Sequence, residues 1–163
     1  MAGGKGVQFK AIRNVANFKI NRLPVDLLHL KKMAGVCPDC KKMTDNLRLC
    51  MLCDRRGCLG CREAWNSHLY CRHGGVSASL TVRGGFILYE ASNVALKQNP
   101  LYRNYLGDYY SPEECPGSLN EGDYVLDETY YERVVEDLVL GKVETAVEEF
   151  QRERSENRGC QIQ

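Results

Sequence analysis

Residues 37–73 read CPDCKKMTDNLRLCMLCDRRGCLGCREAWNSHLYCRH, a run that holds seven cysteines and two histidines. Three Cys-x-x-Cys steps (Cys37/Cys40, Cys50/Cys53, Cys58/Cys61) are followed by His68, Cys71 and His73. Such a step sets two sulfurs on one side of a tight turn, within reach of one tetrahedral ion at about 2.3 Å from each sulfur. Each step therefore supplies half a site, and the other half comes from elsewhere in the chain. Nine candidate ligands exceed by one the eight that two closed tetrahedral sites need. The spacing thus predicts two structural zinc ions and one spare cysteine.

The residues around the cysteines agree. Pro38 and Asp39 lie inside the first step, and Asp54-Arg55-Arg56-Gly57 follows the second, so both are turn-rich knuckles. Residues 62–72 are expected to form a short helix carrying Trp65, His68 and Cys71. On it His68 and Cys71 share a face, whereas His68 and His73, five apart, point about 140° apart. That separation predicts that the two histidines serve different ions, or that His73 lies beyond the helix end. His29, ahead of the cluster, is a weaker ligand candidate.

Nine cysteines in all is an odd number for a disulfide framework. The opening residues MAGGKGVQFK have no apolar core of the kind a secretory leader carries. A reducing intracellular compartment, nucleus or cytoplasm, and metal in place of disulfides are therefore expected. No apolar run is long enough to span a membrane. The last four residues, Cys160-Gln-Ile-Gln, fit a loose prenylation pattern at Cys160, while Cys115 is isolated from the cluster.

At 163 residues the chain has the length of one domain or a small domain with extensions. The expected fold class is α+β: a short helix and a β-hairpin or small sheet around two zinc knuckles. A basic arm over 1–24, with a strand at Val7–Ile12, precedes a zinc domain over 25–106. There Val25–Met33, after Pro24, reads as a short helix ended by Ala34-Gly35. Ser77–Val82 and Phe86–Ala91, joined by Arg83-Gly84-Gly85, read as a hairpin. Residues 93–120, with Pro100, Pro112, Pro116, Tyr102, Tyr105, Tyr109 and Tyr110, read as an irregular aromatic stretch, and a Tyr/Pro-rich linker is expected over 107–126. Asp127 opens an amphipathic helical extension over 127–155 with a stripe through Tyr131, Val134, Val135, Leu138, Val139, Val143, Ala146, Val147 and Phe150, interrupted at Gly141. A charged tail over 156–163 closes the chain, and everything from Gln151 onward is expected to be loose.

Charge is unevenly spread. Residues 1–60 hold twelve Lys/Arg against four Asp/Glu, and residues 61–163 hold ten against seventeen. The basic half suggests an acidic partner, and nucleic acid bound through residues 1–60 is one such partner.

With these parts in order, residues 37–106 resemble the ubiquitin-binding UBP-type zinc finger of ubiquitin-specific proteases. The resemblance rests on CPDC (37–40), NLRLCMLC (46–53), RRGC (55–58), HLYCRH (68–73) and the hairpin SLTVRGGFILYE (79–90). It implies one zinc held by Cys37, Cys40, either Cys58 or Cys61, and His68. It implies a second held by Cys50, Cys53, His73 and a fourth ligand. The family draws that ligand from a Gly-His-Pro, but the matching stretch here is Gly75-Val76-Ser77-Ala78, which leaves Cys71 or the unused member of Cys58 and Cys61. The resemblance also implies a site for the free C-terminal Gly-Gly of ubiquitin, with Arg62 as the cation and Phe86 and Tyr89 as aromatics. Nothing resembles the protease domain's cysteine and histidine boxes, so no catalysis is expected. Glu63, beside Cys61, is the one obvious general acid or base. The function expected is that of a zinc-built protein-interaction module, reading ubiquitin or serving as a scaffold subunit of a larger complex.

Overall fold

A computed structural model describes residues 20–111 and 119–162, with side chains through residue 156. The strand expected at Val7–Ile12, Cys115 and the side chain of Cys160 lie outside the described residues. The α+β class expected from the sequence is the one the chain adopts, with four helices among the described residues.

The centre is a five-stranded antiparallel sheet ordered β4-β3-β5-β6-β7. Its strands are β3 (Leu47–Cys50), β4 (Arg56–Cys58), β5 (Val76–Thr81), β6 (Phe86–Ala91) and β7 (Val94–Pro100). The expected hairpin is β5–β6, in register at Ser77↔Glu90, Ser79↔Leu88 and Leu80↔Ile87. β7 falls within residues 93–120, the stretch expected to be irregular. It returns from β6 through Ser92 and Asn93, both left-handed at φ 51° and 64°, as a two-residue type I′ turn requires. Two smaller ribbons complete the strands. β1 (Gly35–Val36) pairs with β2 (Met43–Thr44) around the first knuckle, and β8 (Tyr102–Arg103) pairs with β9 (Val125–Leu126).

Strand parity sorts the sheet into two unlike faces, because successive side chains point to opposite sides. The pairs Arg48↔Thr81, Cys50↔Ser79 and Ser77↔Glu90 place Arg48, Cys50, Ser77, Ser79, Thr81 and Glu90 together. The intervening residues Leu49, Ala78, Leu80, Ile87 and Tyr89 occupy the other face. Both faces of β5 are buried, with Ser77, Ala78, Ser79 and Leu80 all fully enclosed. A sheet covered on one side by polar groups and on the other by apolar ones needs a different partner on each side.

One helix serves the polar face and two the apolar face, and a short fourth joins the core. α1 (Leu27–Lys31) is short, capped by Asp26 whose carboxylate accepts the Leu28 N–H at 2.9 Å, and it buries Leu27 and Leu30. α2 (Arg62–His73) packs on β5 from the polar side and ends at Gly74, which takes the left-handed φ of 66° that favours glycine. On the apolar side lie α3 (Glu128–Val139) and α4 (Lys142–Ile162). The Asp127 side chain caps α3 by accepting the Tyr130 N–H, as expected from the sequence. Gly141, at φ 73°, makes the break between the two helices. Tyr131, Val134 and Leu138 from α3, with Val143 and Val147 from α4, join Leu80, Ile87 and Ala78 in one core cluster. The helical extension is therefore part of the core and not an appendage to it. The stretch from Gln151, expected to be loose, continues α4 to Ile162. No proline interrupts it, and four-residue spacings such as Phe150/Arg154, with the guanidinium 5.7 Å from the ring centroid, support it locally.

The aromatic stretch is likewise tied down. Tyr102 is fully buried and its hydroxyl donates to Pro24 O at 2.7 Å; Tyr131 donates to Asn21 O at 2.7 Å. These bonds hold residues 21–24 against the body beside the knuckles.

Candidate metal centre and adjoining cleft

Eight of the nine expected ligands converge in two groups: Cys37, Cys40, Cys58 and Cys61, and Cys50, Cys53, His68 and His73. The groups interleave along the chain, each formed by alternate pairs. Within the first, Sγ atoms of Cys37 and Cys61 and of Cys40 and Cys58 stand 3.9 Å apart, and those of Cys58 and Cys61 3.4 Å. Within the second, His68 Nε2 lies 3.2 Å from Cys53 Sγ and 3.2 Å from His73 Nε2, and Cys50 Sγ lies 3.5 Å from His73 Nε2. A tetrahedron around an ion with sulfurs at about 2.3 Å and nitrogens at about 2.0–2.1 Å has edges of roughly 3.3–3.8 Å. Each group is therefore sized to hold one metal ion with four protein ligands.

In each group one thiol is brought down while a neighbour is pushed up, Cys61 in the first group chiefly by its bond to Cys58 and Cys50 in the second. The thiol of Cys53 is brought down to about 4 by the Cys50 thiol donating to it, helped by the Arg55 N–H at 3.4 Å and by both imidazoles. The Cys50 thiol is correspondingly pushed up, first by that same bond and then by burial. Burial works against ionisation of Cys37. The backbone N–H groups of Cys40, Cys58 and Asp39 outweigh it and bring the thiol down to about 6, with Cys58 N at 3.3 Å from the sulfur. Backbone N–H donors on sulfur are what a deprotonated metal ligand needs.

Three details of the expected assignment change. His68 joins Cys50 and Cys53 instead of Cys37 and Cys40, because Cys58 and Cys61 both belong to the first group. His73 shares the group of His68, although five helical positions separate them. It is the last residue of α2, and the two imidazoles reach around the helix to meet edge to face, centroids 4.9 Å apart and planes at 89°. Cys71 stands outside both groups, exposed on the outer side of α2 beside Ser67. It is the spare cysteine. His29 and Glu63 are exposed, and neither belongs to either group.

One indole joins the metal groups to the rest of the polar face. Trp65 is fully buried; its ring meets His68 edge-on at 4.7 Å between centroids. Its Nε1 donates to Glu90 Oε2 at 2.7 Å, and the Arg48 guanidinium lies 4.4 Å above its ring centroid. Arg48 also pairs with Glu90 at 3.3 Å, both side chains almost wholly buried. Burial raises the pKa of Glu90 and lowers that of Arg48, each opposed by the charge of the other. Gly57 of β4, the cross-strand partner of Arg48, also packs close to the indole. A Cβ there would come to 3.1 Å from Trp65 Cε3.

Beyond this triad opens a cleft of about 500 Å³. Arg48 and Glu90 reach it from the sheet, Arg62 and Asn66 from α2, and Phe86, Leu88 and Lys97 from β6 and β7. Four cationic side chains (Arg48, Arg62, Arg83 and Lys97) line it against one carboxylate, Glu90, which is buried. Lys97 Nζ sits 3.8 Å from the Phe86 ring centroid. Arg62 and Phe86, two of the three expected partner-binding residues, thus share one cleft. Tyr89 does not. An odd offset from Phe86 turns it to the apolar face, where it is 4% exposed and donates to Asp137 Oδ2 of α3 at 2.6 Å. Arg48, Leu88, Glu90 and Lys97 were not marked by sequence reasoning. The even spacing Phe86, Leu88, Glu90 was the available signal for the last strand face.

Among the described residues no helix is long and apolar enough to cross a membrane. The chain matches no protein-family model and no curated protein.

Proposed function

We propose that this chain is a non-catalytic, zinc-built protein-interaction module, and that the cleft beside Trp65 receives the C-terminal end of a partner such as ubiquitin. The observation that carries the reading is that all eight ligand atoms are used in two closed sets of four. Structural zinc takes four protein ligands, whereas catalytic zinc keeps a position open for water. Zinc suits sets made of thiolates and imidazoles in tetrahedral spacing. The resemblance to UBP-type fingers supplies the partner. A free carboxylate entering the cleft would meet Arg62, with Lys97 in the same lining, and a charge-assisted bond to Arg62 would fix its position. The apolar walls at Leu69, Phe86 and Leu88 suit a narrow, extended chain end.

The test begins with metal analysis, for which two zinc ions per chain are expected. Ubiquitin is then titrated with and without its terminal Gly-Gly. Binding that disappears on removal of Gly-Gly, and on Arg62→Ala at unchanged zinc content, supports the reader. No binding of either form discards it and leaves scaffold use of the zinc-built surface.

A further inference from the structure

The outermost strand on the cleft side, β7, has seven residues, and among the described residues no strand pairs with its outer edge. The turn geometry shows which backbone groups that edge offers. Ala91 and Val94 flank the two-residue turn and so form a hydrogen-bonded pair. Hydrogen-bonded and non-hydrogen-bonded pairs alternate in an antiparallel ladder. Tyr89↔Leu96 is therefore bonded, while Glu90↔Ala95 and Leu88↔Lys97 are not. The N–H and C=O of Ala95 and Lys97 consequently point away from β6. Lys97 O is met there by the Gln98 side-chain amide, at a long 3.4 Å. The same two residues carry side chains on the cleft face, since their cross-strand partners Glu90 and Leu88 line the cleft.

We propose that this edge takes up an extended acidic peptide segment as a sixth strand, pairing with the backbone of Ala95 and Lys97 and laying alternate side chains over the cleft. The charge of the surroundings selects the occupant. Lys97 stands in the middle of the edge, Arg62 lines the same cleft, Arg83 lines it while paired with Asp45 at 3.9 Å, and the one carboxylate of the lining is buried against Arg48. A second copy of β7 would bring its own Lys97 towards this cationic rim, and like charges facing each other across a strand pair are destabilising. Acidic side chains at alternate positions would meet Lys97 and Arg62, and main-chain bonds would supply affinity independent of sequence. The site is distinct from the capture of a chain end, because a strand on this edge needs no free carboxylate.

The probe is an end-blocked acidic peptide alternating glutamate with valine or threonine, titrated onto the intact, metal-loaded chain by calorimetry. Ala95→Pro removes the outward N–H without touching a bond to β6, as an edge strand tolerates. Ala95→Val adds similar bulk and keeps the N–H. Weakening of about tenfold or more in Ala95→Pro, with Ala95→Val within about twofold of the parent, is the expected result. Equal affinity in all three chains, equal loss in both variants, or no binding to the parent each overturns the proposal. Should Ala95→Pro fail to fold, hydrogen exchange on the parent decides. The amides of Ala95 and Lys97 must become protected when the peptide binds, and unchanged exchange there overturns the edge assignment.

Discussion

Replacing Arg48 by methionine should unfold this protein far more readily than a change of one side chain on the surface would. The Arg48 and Glu90 side chains are 6% and 3% exposed and meet at 3.3 Å, so both charges have left water. Removing one partner of such a pair strands the other charge in the interior, at a cost of about 3–5 kcal/mol. That is a large part of the roughly 5–15 kcal/mol that holds a domain folded. In Arg48→Met the Glu90 carboxylate keeps the Trp65 N–H but loses its counter-charge, and its pKa, already raised by burial, must rise further. The double variant Arg48→Met/Glu90→Gln removes both charges. The new amide oxygen can still accept the indole N–H, so most of the loss should return, leaving the double variant within about 1–2 kcal/mol of the parent. Urea unfolding followed by tryptophan fluorescence is the assay, and Trp65 is the only tryptophan in the chain, so the signal comes from the triad itself. The titrations are run with excess zinc and compared at constant m. A single variant costing less than about 1 kcal/mol, the range of exposed pairs, refutes the reasoning. So does a double variant as unstable as the sum of the two single changes.

Three further outcomes are expected. Cys71→Ser should keep two zinc ions per chain and shift stability by no more than about 0.5 kcal/mol, whereas His73→Ala should lose one ion; metal analysis and thermal melting separate the two. Gly57→Ala should cost about 1–3 kcal/mol, because the added methyl meets the indole at 3.1 Å, and a melt at the parent's midpoint would rule out close packing there. Tyr89 and Tyr102 have hydroxyls pushed up in the fold, Tyr89 by burial and by its bond to Asp137, Tyr102 by burial and the charge of Asp26. A raised folded value means their stabilisation is complete below the unfolded value of about 10 and is lost as pH rises above it. Phenolate absorbance and circular dichroism should therefore change together in alkali, and buried tyrosines ionising in a still-folded chain would contradict this.

The candidate metal ligands were legible because their chemistry depends on residue type and short spacing, and both are written in the chain. Which ligands share an ion was less legible. That depends on β3 and β4 pairing at Leu47↔Cys58, which brings the third knuckle beside the first, and on the reach of two imidazoles around one helix. The β5–β6 hairpin and the Asp127 cap were found from local turn and capping chemistry. β7 was missed, since VALKQNP alternates only weakly and ends in proline. The two roles of the sheet faces were also hidden. Ser77-Ala78-Ser79-Leu80 looks like a half-exposed strand, yet its serines face buried polar groups and not water. Tyr89 was misplaced because a one-residue step along a strand exchanges faces, a distinction that a count of nearby aromatics does not make.

The two ligand sets differ in what they would carry once filled. Four thiolates around a divalent ion leave two net negative charges; two thiolates and two imidazoles leave none. The neutral complex would fall where Cys50, His68 and His73 are buried, and the dianionic one where Cys40, Cys58 and Cys61 remain partly open to water. Arg48, in register with Gly57 between the two knuckles, and Arg62, next to Cys61, stand near the charged set. The interior thus avoids an ion it could not solvate, while three of the four thiols of the first set, Cys37 excepted, stay partly open to oxidants and to competing metals. Under oxidative stress the outer ion should leave first, and the order of zinc release would record the difference in depth between two sites that the sequence writes in the same letters.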